Sequence, residues 1–135
     1  MISRAAELSR KSRVPLVLAQ VGVRKAFDHV DHRAAFKAMR LQGVSLHAIA
    51  LIAAIWASSV VRVRLGQESS DDIPMDRGLP QGAPESPLIF TMIIDMVIRS
   101  LEPRWRENGH GFSVDRFRLT AVCYADDIVL AASPK

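Results

Sequence analysis

The stretch Leu119-Thr120-Ala121-Val122-Cys123-Tyr124-Ala125-Asp126-Asp127-Ile128-Val129-Leu130-Ala131-Ala132 sets two adjacent carboxylates inside an apolar run. Burying one unpaired carboxylate is costly, and two side by side repel each other. A strand–turn–strand hairpin resolves the conflict by lifting Asp126 and Asp127 to an exposed tip. The pattern predicts strands over Phe117–Cys123 and Asp127–Ala132. Such a pair suits Mg²⁺, which takes oxygen ligands and leaves positions for substrate phosphates. The plainer alternative is an ordinary acidic hairpin turn.

The chain around this stretch has 135 residues, which bounds it to one domain or less. Hydrophobic residues make up 49% of it, enough to bury a core. A net charge of +4 and a pI near 9.8 are compatible with a polyanionic partner without requiring one. The single cysteine, Cys123, excludes an intrachain disulfide framework and a cysteine-rich zinc cluster. Its place in an apolar strand predicts a buried core residue. Met1 to Arg13 holds no long apolar run, so no secretory signal is expected there. His47, Thr91 and Asp95 interrupt the longest apolar stretches, which argues against a membrane-spanning helix. A reducing intracellular setting is the simplest expectation, with nucleus and cytoplasm both open.

Local signals punctuate the chain. Ser3–Lys11 is helix-compatible, and Pro15 ends any helix there. Leu16–Val21 reads as a buried strand. Asp31 is placed to cap a helix over His32–Leu41, with Ala35, Phe36 and Met39 on one face and Gly43 as its stop. Ser45 is placed to cap a second helix over Leu46–Ala57, whose stripe of Ile49, Ile52, Ala53 and Trp56 reads as core. Val60–Leu65 alternates, which predicts a half-exposed strand, and Gly66–Asp71 leads back to a partner at Ile73–Met75. Two glycines and two prolines between Gly78 and Pro84 make a shaped loop. Ser86-Pro87 then opens a helix, as cap and first-turn proline, that stops near Pro103. The order suits an α+β fold, a small antiparallel sheet backed by helices.

Three blocks carry a resemblance. Arg24-Lys25-Ala26-Phe27-Asp28-His29-Val30 follows the first strand. Arg77-Gly78-Leu79-Pro80-Gln81-Gly82-Ala83-Pro84-Glu85-Ser86-Pro87 opens the long helix. Tyr124-Ala125-Asp126-Asp127 tips the last hairpin. In this order they resemble the palm of a reverse transcriptase: its first catalytic strand, its Pro-Gln-Gly loop and its Tyr-X-Asp-Asp hairpin. The wording is most similar to non-LTR (LINE-type) retrotransposon enzymes, with group II intron proteins next. The resemblance runs from about Val14 to Ala132 and describes an incomplete palm. Residues 1–13 form a lead-in helix, and the fingers and thumb fall outside the blocks.

The resemblance implies roles. Asp126 and Asp127 match the hairpin carboxylates that ligate Mg²⁺ and serve catalysis. Tyr124 flanks them on the substrate side. Phe27 matches the bulky residue that crowds the sugar 2′ position, although an aromatic after a strand is also ordinary core. Gln81 and Gly82 match the loop that touches template and incoming nucleotide, where a closely approaching backbone needs glycine; a tight loop without a ligand is the alternative. The sequence departs from the family at its first strand. The family pattern Asp-x-x-Lys-Ala-Phe-Asp begins with a metal-ligating Asp, and alignment puts Gly22 in that place. Asp28 and Asp31 read as helix-start residues. Arg62, Arg64 and Lys25 are open to both phosphate and plain solvent.

The expected family function is RNA-templated DNA synthesis by two-metal nucleotidyl transfer, with Mg²⁺, an RNA template, a DNA primer and dNTP. Gly22 and the missing fingers and thumb imply that this chain alone is inactive. Two alternatives stand beside that reading: a domesticated nucleic-acid-binding module without chemistry, and a subunit completed in trans by a partner supplying fingers or thumb. The palm assignment also requires the strand ending at Gly22 to lie beside the Asp126-Asp127 hairpin.

Overall fold

The computed structural model describes residues 1–134. In chain order the elements are α1 (Ile2–Ser12), β1 (Val17–Gly22), α2 (His32–Leu41), α3 (Leu46–Ala57), β2 (Val60–Val61), β3 (Arg64–Leu65), β4 (Glu68–Ser69), β5 (Ile73–Pro74), α4 (Ser86–Glu107), β6 (Phe112–Val114), β7 (Phe117–Leu119), β8 (Ala121–Tyr124) and β9 (Asp127–Ala132). Helices and small antiparallel sheets make this an α+β fold, as the sequence implies. The chain divides into two compact units. One comprises Met1–Arg24 with the chain from Ile94 onward, and the other Lys25–Ile93.

In the first unit β1, β9 and β8 form an antiparallel sheet in that order. Ala5 of α1, Phe112, Val114, Leu119 and Ala131 make its buried core, with Leu8, Val14, Leu16, Phe117 and Val122 packed around them. The expected strand over Phe117–Cys123 is broken at Thr120. Its first half, β7, pairs with β6, and its second half, β8, pairs with β9. Near the break the chain passes close to Gly111, where a Cβ would stand 2.9 Å from the Thr120 methyl group. The strand expected to be buried, β1, is exposed along its whole length. It is an edge strand with one neighbour, so only one side of its backbone is covered.

The long helix α4 passes through Pro103 instead of stopping there. Proline removes one i→i−4 hydrogen bond, an interior cost of about 3 kcal/mol. Pro103 is exposed, and the helix ends one turn later at chemistry suited to it. Asn108 Nδ2 donates to Arg104 O at 2.8 Å. Gly109, at φ +68°, then turns the chain, with His110 N donating to Trp105 O at 2.8 Å.

In the second unit both capped helices start and end where local chemistry puts them. Asp31 Oδ1 accepts from Arg33 N at 2.7 Å and Ala34 N at 3.2 Å. Ser45 Oγ accepts from Ala48 N at 3.2 Å. Gly43 takes φ +83° after α2. Trp56 is buried, stacked on Phe36 with centroids 5.4 Å apart and tilted against His32 at 4.7 Å. Its companions in the α3 stripe, Ile49, Ile52 and Ala53, are half-buried.

The strand expected over Val60–Leu65 forms as two short pieces, and the hairpin back to Ile73 forms around a gap. β2 pairs with β5, and β3 with β4. Between them Ser70 Oγ accepts from Val63 N at 3.0 Å, so a side chain replaces a ladder partner. Val61, Val63 and Leu65 are all exposed, against the half-buried expectation.

Candidate active site

The hairpin β8–β9 lifts its acidic pair to the surface as the apolar flanks require. Ala125 takes φ +50° in the tip, and Asp126 and Asp127 are exposed. Cα pairing sets Gly22 opposite Asp127 and Asp127 opposite Tyr124. Residues directly opposite share a sheet face. Gly22, Asp127 and Tyr124 therefore form one row across three strands, and the strand ending at Gly22 lies beside the hairpin as the palm assignment requires. Tyr124 is 84% exposed, so its side chain is open to solvent. Gln20 lies two residues before Gly22 and so on the same face. Its Nε2 donates to Asp127 Oδ1 at 3.3 Å. Sequence reading missed Gln20, although its strand period relative to Gly22 was the signal.

Cys123 occupies the opposite face and is exposed, contrary to the core expectation. It sits on edge strand β8, beside the solvated tip. Partial burial of the thiol, with the Asp95 carboxylate of α4 as a lesser cause, raises its pKa.

The donor set can be tested against magnesium. Asp126 and Asp127 supply two exposed carboxylates, one of them hydrogen-bonded by Gln20, and carboxylate oxygen is the donor type that magnesium takes. They do not make a cradle for two ions. The position facing Asp127 is glycine, and among the described residues no three His, Cys, Asp or Glu side chains converge.

The second unit, taken by itself, builds a pocket. Phe27 is half-buried, its ring stacked on Phe90 of α4 with centroids 4.9 Å apart. Its other surface lines a cavity of about 580 Å³ with Pro80, Gln81, Gly82, Ala83, Pro84, Ser86 and Pro87. The structure thus brings Phe27 and the Gln81-Gly82 loop together, and Phe27 is core and cavity wall at once. Gly78 and Gly82 both take φ +89°, a conformation that favours glycine at both places. Ser86 does not cap α4 by accepting. Its Oγ donates to Pro80 O at 2.7 Å, which closes the loop onto the helix start.

Of the two residues expected at helix starts, Asp31 caps α2 and Asp28 bonds a loop instead. Asp28 Oδ1 accepts from Gln81 Nε2 at 2.9 Å. Arg62 is engaged by Asp72 through both its Nε and Nη2 atoms, and this hydrogen bonding raises its pKa.

No helix among the described residues is long and apolar enough to cross a membrane.

Known proteins are similar to this chain over most of its length. A Pol polyprotein of the type-1 retrotransposable element R2 from Nasonia vitripennis is 34% identical over 120 residues, covering 89% of this chain and 11% of that protein. Its namesake from Popillia japonica is 29% identical over 122 residues, covering 90% and 17%. The Pol polyprotein of the type-2 retrotransposable element R2DM from Drosophila melanogaster is 26% identical over 118 residues, covering 87% and 11%. The chain spans less than a fifth of the length of each of these relatives. The family profile described as reverse transcriptase (RNA-dependent DNA polymerase) matches residues 4–135. With the Gly22–Asp127 register and the Tyr-Ala-Asp-Asp hairpin beside it, that match establishes that the chain belongs to the reverse transcriptase family.

Proposed function

We propose that this chain is the palm segment of a non-LTR retroelement reverse transcriptase, built for RNA-templated DNA synthesis but catalytically defective as it stands. The observation that carries the reading is the register of β1 on β9. It sets a glycine face to face with Asp127, where the family supplies a carboxylate. Asp126 and Asp127 hold magnesium, and Gln20 orients Asp127. Tyr124 borders the same row. Phe27 and the Gln81-Gly82 loop form the nucleotide pocket, with Phe27 limiting room at the sugar. A bound magnesium ion would neutralise phosphate charge during nucleotide transfer. RNA template, DNA primer and dNTP are the partners of that chemistry.

The test is a graft. Residues 14–132 replace their counterpart in a complete related enzyme, and RNA-templated dNTP incorporation is measured with Gly22 and with Gly22→Asp. The Gly22 graft is expected to be inactive and the Gly22→Asp graft active. Robust synthesis by the Gly22 graft would overturn the lesion and point to another residue as the ligand.

A further inference from the structure

The loop that carries Gln81 is fastened to the Phe27–Val30 turn before any ligand arrives. Gly78 N donates to Val30 O and Leu79 N to Phe27 O, each at 2.8 Å. His32 Nε2 lies 2.8 Å from Gly78 O and donates to it, since a carbonyl only accepts. Ser86 Oγ holds Pro80 O from the other side. Gly78 packs so tightly that a Cβ there would stand 3.0 Å from Asp28 O. The backbone on the N-terminal side of Gln81 is therefore fixed.

Its side chain is fixed as well, by a residue 53 positions earlier in the sequence: Asp28 Oδ1 accepts from Gln81 Nε2 at 2.9 Å. An ionised carboxylate only accepts. It therefore selects one of the two faces of the carboxamide: the nitrogen turns toward Asp28 and Oε1 turns away. Gln81 is solvent-exposed and lines two cavities, one with Asp28 and one with Phe27. Without Asp28, nothing among its described hydrogen bonds would distinguish its donor end from its acceptor end.

We infer that Asp28 is the positioning residue of the Phe27–Gln81 pocket. It holds the Gln81 carboxamide so that Oε1 is presented as an acceptor, and the pocket therefore recognises a hydrogen-bond donor, a hydroxyl or N–H, on the incoming nucleotide. The inference rests on reading this cavity as the nucleotide pocket. Asp28 itself touches no substrate and acts through Gln81.

The experiment uses the ¹⁵N-labelled full chain and dGTP in magnesium buffer. Two readouts are followed by NMR: the Gln81 side-chain NH₂ resonances without nucleotide, and the Gly82 amide during dGTP titration. In Asp28→Ala the Gln81 resonances are expected to move to free-glutamine values, and dGTP affinity to fall about fivefold, because an exposed charge-assisted hydrogen bond and its preorganisation are lost. Asp28→Asn offers both a donor and an acceptor, so it should keep the contact but admit both carboxamide orientations. It should give an intermediate affinity and one averaged set of Gln81 resonances between the wild-type and Asp28→Ala positions. In both variants the Gly78 and Leu79 amides should stay in place, which a merely structural role for Asp28 would not predict. If Asp28→Ala unfolds the loop, Asp28→Asn decides alone: wild-type Gln81 resonances together with wild-type dGTP affinity in that variant would overturn the inference. Unchanged Gln81 resonances and affinity in Asp28→Ala would overturn the inference. Wild-type chain whose Gly82 ignores dGTP would overturn the pocket reading and the nucleotide assignment together, while the Gln81 resonances would still decide the Asp28 contact.

Discussion

Replacing Gly22 by Asp places a third carboxylate opposite Asp127, and the structure sets the size of the effect. The position accepts a side chain: a Cβ would meet nothing within 4 Å, and Gly22 is not among the positive-φ glycines. Directly opposed Cβ atoms lie about 4.5–5.5 Å apart in an antiparallel pair. Like charges at about 5 Å repel by about 0.8 kcal/mol in water and about 3 kcal/mol at an effective dielectric of 20. Asp127 is exposed, so solvent screening keeps the cost near about 1 kcal/mol. Removing a glycine from a strand returns about 0.5–1 kcal/mol. Metal-free stability should therefore barely change. The response to magnesium should change, because ligand charge count sets affinity. With a Kd of about 1 mM in the variant, about 10 mM Mg²⁺ stabilises it by about 1.4 kcal/mol; a site tenfold weaker in the wild type gains about 0.4 kcal/mol. The difference of about 1 kcal/mol corresponds to about 3–5 °C in melting temperature. Thermal melts in EDTA and in Mg²⁺, matched for ionic strength, measure it. An equal magnesium shift in both proteins would refute the argument that Gly22 occupies a ligand position facing Asp127.

Further outcomes follow from the loops, the caps and the thiol. Gly78→Ala should destabilise the chain by about 2 kcal/mol or more in urea unfolding, since it combines a left-handed backbone with the close Asp28 carbonyl. Gly82→Ala has the same φ but open space and should cost only about 1 kcal/mol; equal losses would contradict the packing term. Asp31→Ala should lower stability by about 1 kcal/mol through two lost cap hydrogen bonds, whereas Asp28→Ala should cost less in the same denaturation experiment. The raised Cys123 pKa lowers the thiolate fraction at neutral pH, so alkylation should be slower than for a free cysteine. Asp95→Asn lowers that pKa and should speed it; an unchanged rate would mean that burial alone sets the thiol's reactivity.

Local chemistry was legible where it was self-contained. Asp31 and Ser45 cap within their own first turns, so the bounds of α2 and α3 follow from the sequence without knowledge of the rest. The hairpin tip was legible because two carboxylates cannot be buried side by side. The Gly22–Asp127 pairing was legible through the family pattern, which carries long-range information that local rules lack. What escaped was partner choice at a distance. Ser70 interrupts the Val60–Leu65 strand from the other arm of its hairpin, and the Phe117–Cys123 stretch changes partner from β6 to β9 at Thr120. Asp28 resembled a helix-start residue because its true partner lies in another loop. Pro103 misled for the opposite reason: a sound local rule yielded to the helix around it.

The exposed edge strand β1 bears on how this protein behaves in the test tube and in the cell. From Val17 to Gly22 it contains no charged residue, no proline and no bulge, the devices by which natural edges discourage further pairing. Its free backbone groups and its half-exposed Val17, Leu18 and Val21 form a template for strand addition. Concentrated solutions should therefore accumulate β-rich assemblies nucleated along this edge, and a lysine in place of Ala19, in the middle of the strand, is the gatekeeper that would keep the chain soluble.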